Sequence, residues 1–142
     1  MCQTLLKLPI TLITRKPAVS KHSVKIEVQT EYLPEQSTPE DERYVFAYHV
    51  SIHNEGSNKV QLISRHWIIT DGNDKVQEVK GSGVIGLQPQ LESGESFQYS
   101  SGAVIDSQVG VMQGSYQMLD ENGQHFEAEI PAFKLAIPNI IH

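Results

Sequence analysis

A strict alternation of apolar and polar residues is the feature of this chain that most restricts its fold. Successive side chains of a β-strand point to opposite faces of the sheet, so a period of two predicts a strand with one buried face. Residues 43–54 follow this period over their whole length. One face carries Tyr44, Phe46, Tyr48, Val50 and Ile52, and the other carries Ala47, His49, Ser51 and His53.

The same period recurs between turn signals along the rest of the chain. Further strands are predicted at residues 24–29, 60–70, 75–79, 95–101, 109–119 and 125–137. Turns rich in Asn, Asp and Gly separate them at residues 54–58, 71–74 and 121–124. Pro131 should produce a bulge or mark an edge in the last strand, because proline cannot donate to the ladder. The only helical candidate is a single turn at residues 37–42.

Short strands with turns at close spacing predict an all-β fold. We expect an antiparallel β-sandwich of about seven strands with an immunoglobulin-like or fibronectin type III-like topology. The 142 residues suit one domain over residues 21–142, preceded by an N-terminal arm at residues 1–20.

Charge and cysteine content exclude several classes of function. The net charge of −6 argues against a nucleic-acid partner, which needs a concentrated basic surface. No run approaches the roughly 18 apolar residues that a membrane helix requires, so we expect no membrane insertion. Cys2 is the only cysteine, which predicts a reducing, cytoplasmic location without disulfides.

A glycine segment at residues 81–86 invites two interpretations. Gly81, Gly83 and Gly86 copy the spacing of a dinucleotide-binding pattern, but Pro89 and the flanking strands leave no helix to hold a pyrophosphate. Backbone N–H groups here, with Ser82 and Lys80, could instead form an anion-binding nest. Alternatively, the glycines only supply positive φ and close packing in a strand connection.

The histidines and serines suggest two other kinds of chemistry. His49 and His53 share one strand face and His66 follows on the next predicted strand, which would bring imidazoles together if those strands were neighbours. No ligand spacing typical of a metal site accompanies them, so we predict no metal and no cofactor. Ser64, His66 and Asp71 lack a nucleophile elbow, and we predict that the chain is not an enzyme.

Arg65 and Trp67 share a strand face, where a guanidinium could stack on the indole, and we interpret this as packing at the rim of the sandwich rather than as a recognition site. Together with His66 they are the candidates for contact with a partner protein.

Several separated motifs in fixed order resemble the ApaG family. They are Tyr32-Leu33-Pro34-Glu35-Gln36-Ser37, Arg65-His66-Trp67-Ile68-Ile69-Thr70-Asp71, the glycine segment through Pro89, Met112-Gln113-Gly114-Ser115-Tyr116-Gln117-Met118 and Pro131-Ala132-Phe133-Lys134-Leu135-Ala136. The resemblance implies a fibronectin type III-like domain without a settled biochemical activity. Similar domains occur in eukaryotic F-box proteins and in a polymerase delta-interacting protein. The family also carries a historical association with cobalt and magnesium efflux, and with the neighbourhood of a diadenosine tetraphosphate hydrolase.

Two functions follow as hypotheses. The first is a non-enzymatic protein-interaction module that docks an unidentified partner and is linked only indirectly to cobalt and magnesium homeostasis. The alternative is a sensor that binds a pyrophosphate or a polyphosphate nucleotide, such as diadenosine tetraphosphate, at the glycine segment. A homo-oligomer stays open, because an edge strand can pair with a second copy.

Overall fold

A computed structural model describes residues 22–138, which form eight strands and two short 3₁₀ turns. The strands are β1 (Val24–Tyr32), β2 (Tyr44–Asn54), β3 (Val60–Asp71), β4 (Val76–Ser82), β5 (Gln90–Leu91), β6 (Ser96–Ile105), β7 (Val109–Asp120) and β8 (His125–Ala136), and the 3₁₀ turns are Pro34–Gln36 and Pro39–Asp41. The all-β prediction is confirmed. The predicted arm at residues 1–20 lies outside the described residues.

The strands form two antiparallel sheets. The first has the order β1-β2-β6, and the second has the order β4-β3-β7-β8, with β5 pairing beside β4 on β3. The chain crosses from one sheet to the other between β2 and β3, which is consistent with a fibronectin type III-like sandwich. The two-residue β5 accounts for eight strands where about seven were predicted.

The core lies between the inner faces of the two sheets. The apolar face predicted for β2 is the buried one, and Phe46, Val50 and Ile52 are almost completely enclosed. Trp67 lies at the centre of the second sheet, where its ring meets Tyr48 and other aromatic rings edge-on. The apolar residues that alternate along the sequence are therefore the ones buried between the two sheets.

Two irregularities interrupt the second sheet. The β3–β7 register shifts between Leu62 and Ser64, and the β7–β8 register shifts between Met112 and Gly114, opposite Pro131. The second shift, together with the edge position of β8, confirms the expectation for Pro131. At Gly114 the backbones of β3 and β7 approach so closely that an added Cβ would collide with the carbonyl oxygen of His66.

Buried polar side chains fix the predicted turns. Asn54, Asp71 and Asp120 are each buried and accept hydrogen bonds from backbone N–H groups two residues further on. The predicted helical turn is present at Pro39–Asp41, although Thr38 makes no side-chain capping bond. No helix within residues 22–138 is long and apolar enough to cross a membrane.

Candidate functional site

The glycine segment ends β4 and enters a tight turn. The N–H of Val84 donates to the carbonyl of Leu87 at 2.8 Å, and the N–H of Leu87 donates back to the carbonyl of Val84 at 2.9 Å. The two residues between them both have positive φ, +44° at Ile85 and +79° at Gly86. Two central residues with positive φ are the signature of the type I′ turn that closes β-hairpins.

Each glycine of the segment has a reason within the fold. Gly83 has φ +64°, and a Cβ there would overlap the carbonyl oxygen of Leu87 and lie 3.1 Å from its carbonyl carbon. Gly86 needs only its positive φ, because nothing lies within 4 Å of its missing Cβ. A Cβ at Gly81 would lie 2.8 Å from a guanidinium nitrogen of Arg65. Gly83 and Gly86 are therefore explained without a ligand, whereas a Cβ at Gly81 meets only the flexible end of the Arg65 side chain.

Arg65 on β3 stabilises the position of the glycine segment through hydrogen bonds. It pairs with Gly81 across the ladder, and its Nη1 donates to the carbonyls of Ser82 at 3.1 Å and Gly83 at 2.8 Å. The N–H of Gly83 donates in turn to the carbonyl of Ile63, at the bulge of β3. These bonds hold the start of the turn at a fixed position on the sheet.

The three candidates for partner contact lie in different environments. The predicted position of Trp67 at the rim of the sandwich is wrong: its ring is 2% exposed, lies among core aromatic rings and supplies no surface. Arg65 is partly buried, and the structure records its guanidinium on the carbonyls at the end of β4. His66 lies on the outer face, where its Nε2 is 2.6 Å from a carboxylate oxygen of Glu78. Partner contact through Arg65 and His66 stays a prediction.

A polar pair lies in the core on the inner side of Arg65. The hydroxyls of Tyr99 and Tyr116 are 2.6 Å apart, and burial raises the pKa of Tyr99 to about 12. Burial also raises the pKa of Tyr116, while the positive charge of Arg65 acts in the opposite direction on both rings. The pair therefore stays protonated at physiological pH and serves as structure.

Two exposed apolar side chains form what we call the apolar tip, Ile85 and Leu87. Ile85 is 57% exposed and Leu87 is 51% exposed, while Val84 between β4 and the tip is fully buried. A β-branched residue with positive φ is a genuine outlier, because this conformation costs an L-residue about 1–2 kcal/mol. Sequence reasoning missed the tip, although two large apolar residues inside a glycine-rich turn were the available signal.

The surroundings of Lys80 are mixed in charge. Lys80 borders a shallow depression of about 320 Å³ on the outer face of the second sheet. The depression is also lined by Ser64, Arg65, His66, Gly81, Gln117 and Glu127. The carboxylate of Glu127 opposes an anion there. Phosphate binding by Lys80, Gly81, Ser82, Gly83 and Gly86 stays a prediction.

The condition under which the three histidines would meet, that β2 and β3 are neighbours, does not hold. β2 and β3 belong to different sheets, so His49 and His53 lie on one outer face of the sandwich and His66 lies on the other. Each of these histidines has a carboxylate as neighbour, and the two on β2 also have a serine. His49 lies beside Glu31 and Ser100, and His53 lies beside Glu27 and Ser96. Within residues 22–138, no group of three His, Cys, Asp or Glu side chains is arranged to hold a metal ion.

The residues considered for hydrolysis have separate structural partners. The hydroxyl of Ser64 donates to the side-chain oxygen of Gln117 at 2.8 Å. The carboxylate of Asp71 accepts from the N–H groups of Asn73 and Lys75 and shapes the β3–β4 turn. Ser64, His66 and Asp71 therefore each take part in the local structure of the second sheet.

Comparison with known proteins identifies close relatives. A family model described as the ApaG domain matches residues 34–120. Protein ApaG of Aromatoleum aromaticum is 57% identical over 122 residues, which is 86% of this chain and 96% of the relative. Protein ApaG of Thiobacillus denitrificans is 58% identical over the same length and shares. A crystal structure of the putative ApaA protein from Bordetella pertussis superposes with a TM-score of 0.84 at 49% identity, covering 87% of this chain and all of that one.

Proposed function

This chain belongs to the ApaG family, and from that premise we propose that it is a non-catalytic protein-interaction module whose apolar tip docks on a partner protein. The sandwich holds the tip rigidly, and the partner supplies a complementary apolar patch. A link to cobalt and magnesium homeostasis would then be indirect, through that partner. A cytoplasmic location stays part of this proposal and derives from the single cysteine, Cys2.

The observation that carries the proposal is the conformation and the exposure of Ile85. Ile85 occupies a turn position that favours Asn, Asp or Gly, and it also leaves more than half of its surface in water. Strained residues in sparsely populated conformations persist where the surrounding structure fixes them, and they cluster at functional sites. Neither the turn nor the core gains from isoleucine here, so a contact outside the chain explains it best.

Rigidity of the tip favours binding. The turn is closed by two reciprocal backbone bonds, and its entrance is tied to β3 by Arg65 and by the N–H of Gly83. A loop that is already ordered loses less conformational entropy when it docks, so a small apolar contact yields more affinity. Loops on a rigid sandwich are common carriers of recognition for this reason.

A nucleotide site in the glycine segment is the competing proposal. The N–H groups of Gly83, Val84 and Leu87 donate to protein carbonyls, and the guanidinium of Arg65 is bonded to two further carbonyls. A phosphate would have to replace these bonds or bind beside them. The interaction proposal requires no such rearrangement, which is why we favour it.

The test separates docking from folding. Ile85→Asn places a residue that tolerates positive φ in the turn, so it should leave stability unchanged or raised while removing the apolar contact. Leu87→Ser removes the second half of the tip. Val104→Ser is the matched control, because Val104 is 40% exposed on β6 and lies outside the tip. Each variant and the parent would carry the same tag and be captured from crosslinked cells.

The expected result is a discrete partner, enriched with the parent chain and with Val104→Ser but at least about tenfold depleted with Ile85→Asn and Leu87→Ser. Thermal denaturation of all four proteins would show that the depletion is not unfolding. Equal recovery of that partner by Ile85→Asn and the parent would contradict the proposed role of the tip.

A further inference from the structure

The free side of β4 is an unpaired sheet edge, separate from the apolar tip. β4 ends the second sheet and pairs only with β3 among the described strands. A strand at the edge of a sheet presents a row of backbone N–H and C=O groups to any chain that can add a strand. The backbone groups on the free side of β4 are therefore available to pair with an additional strand.

β4 lacks most of the features that usually protect an edge. Natural edges are blunted by proline, by bulges, by charged side chains, especially lysine, by inward-pointing charges or by very short strands, and of these β4 has only Glu78 and Lys80 on its outer face. β4 is seven residues long, contains no proline, and pairs with β3 in continuous register from Val76 to Ser82. Its inner-face positions are Gln77, Val79 and Gly81, without a charge, and Val76 and Val79 are 60% and 38% exposed.

The charges on the outer face of β4 complement a second copy of the same strand. Glu78 and Lys80 lie on one face, on either side of Val79. If two β4 strands pair antiparallel about a two-fold axis through Val79, each Glu78 lies opposite the Lys80 of the other copy. Opposite charges in directly opposed positions stabilise a strand pair, while like charges destabilise it.

Only this register satisfies both the faces and the charges. Because side chains alternate between the two faces, the inner faces of both strands stay on the same side only when inner residues pair with inner residues. The allowed registers therefore differ by two residues in pairing. A shift by one such step centres the pair on Glu78 or on Lys80 and places two like charges against each other. The self-complementary register is therefore selected by the chain's own residues.

The other edges of the sandwich offer no such selection. β8 contains Pro131 and packs beside β1, which occupies the corresponding edge of the first sheet. β6 carries no charged residue from Ser96 to Ile105, so nothing in its sequence specifies a register.

We propose that two copies of this chain associate through β4, in an antiparallel pair centred on Val79, and so join their second sheets into one continuous sheet. Ionic attraction between Glu78 and Lys80 of opposite copies sets the register. The two valines at the axis meet on the inner-face side. With a net charge of −6 on each copy, the pairs also offset the general repulsion between the two molecules.

Charge reversal and charge exchange test the register directly. In Lys80→Glu, four acidic side chains meet at the interface, and in Glu78→Lys four basic ones do. The double variant Glu78→Lys with Lys80→Glu restores opposite charges across the axis. Sedimentation velocity of the whole chain from 10 μM to 1 mM would give the dissociation constant of each dimer, and far-UV circular dichroism would verify the fold.

We expect the parent to dimerise, each single reversal to weaken the dimer by at least about tenfold, and the double variant to recover it. The difference between the parent and the single variants should shrink at 1 M salt, where the Debye length falls to about 3 Å. A parent that stays monomeric at 1 mM would overturn the proposal. A folded Lys80→Glu variant that dimerises as tightly as the parent would also overturn it.

Discussion

Replacing Gly83 with alanine tests whether the glycine segment is shaped by packing within the fold. The substitution adds one methyl group at a residue with φ +64°, pointed at the carbonyl oxygen of Leu87. That carbonyl accepts the hydrogen bond from Val84 which closes the turn. The turn must therefore open or move away from the new methyl group.

The expected loss has two parts. Holding alanine in the left-handed conformation costs about 1 kcal/mol. Opening the turn breaks two reciprocal backbone bonds, each worth about 1 kcal/mol net. The free energy of unfolding should therefore fall by about 3 kcal/mol in total, and by more if Val84 leaves the core.

Gly86→Ala is the matched control in the same turn. Gly86 has φ +79°, but a Cβ there meets nothing within 4 Å. Only the conformational cost applies, about 1 kcal/mol. The two substitutions are chemically identical and lie three residues apart, so the difference of about 2 kcal/mol between them isolates the collision with Leu87.

Urea and thermal denaturation measure both values. For 142 residues the entropy of unfolding predicts about 3 °C of melting temperature for each kcal/mol, so Gly83→Ala should melt about 10 °C below the parent and Gly86→Ala about 3 °C below it. Equal losses for the two variants, or a fully stable Gly83→Ala protein, would refute the collision with Leu87 as the reason for glycine at position 83.

Three further predictions concern groups near the segment and at the Val60 end of the second sheet. Arg65→Met removes the donor to the carbonyls at the end of β4 and should lower the free energy of unfolding by about 1–2 kcal/mol, with Arg65→Lys intermediate; urea denaturation at neutral pH measures both. Tyr116→Phe leaves the hydroxyl of Tyr99 buried without its partner and should cost about 1–3 kcal/mol, whereas the double change to Phe should cost less than the sum of the single changes in a double-mutant cycle. The pKa of Asp120 is lowered chiefly by its hydrogen bond with His22, so its stabilisation is present above its ordinary pKa of 3.8 and is lost as the pH falls through the folded value. Asp120→Asn should therefore destabilise the protein at pH 7 and approach the parent well below pH 3.8, while an equal gap at both pH values would argue against this role.

The sandwich followed from the sequence because its signals are local. Alternation from Tyr44 to Ile52 is set by the geometry of a single strand, and the buried face of β2 is the one that it predicts. Pro131 disturbs the ladder because of its own missing N–H, which no tertiary context restores. Such features depend only on residues that are adjacent in sequence, so the sequence predicts them correctly.

Features that depend on the path of the chain between sheets are not encoded in local sequence patterns. His66 follows His53 by 13 positions, but the chain changes sheets between β2 and β3, and no local pattern marks that crossing. The bond from Arg65 to the carbonyl of Gly83 joins residues 18 positions apart across a bulge. Ile85 contradicts the preference of its own turn position, so propensity pointed away from the conformation that it adopts.

An amide NMR titration tests the central claim most directly, namely that the glycine segment is held by its own bonds and takes no phosphate. The ¹⁵N-labelled chain would be titrated with diadenosine tetraphosphate, ATP and pyrophosphate, each with and without magnesium, while the amides of residues 82–86 are followed. We expect no saturable shift in these amides up to millimolar ligand, which limits any binding to weaker than about −4 kcal/mol. Saturable shifts centred on Gly83 and Gly86 would contradict it and establish the nucleotide site instead.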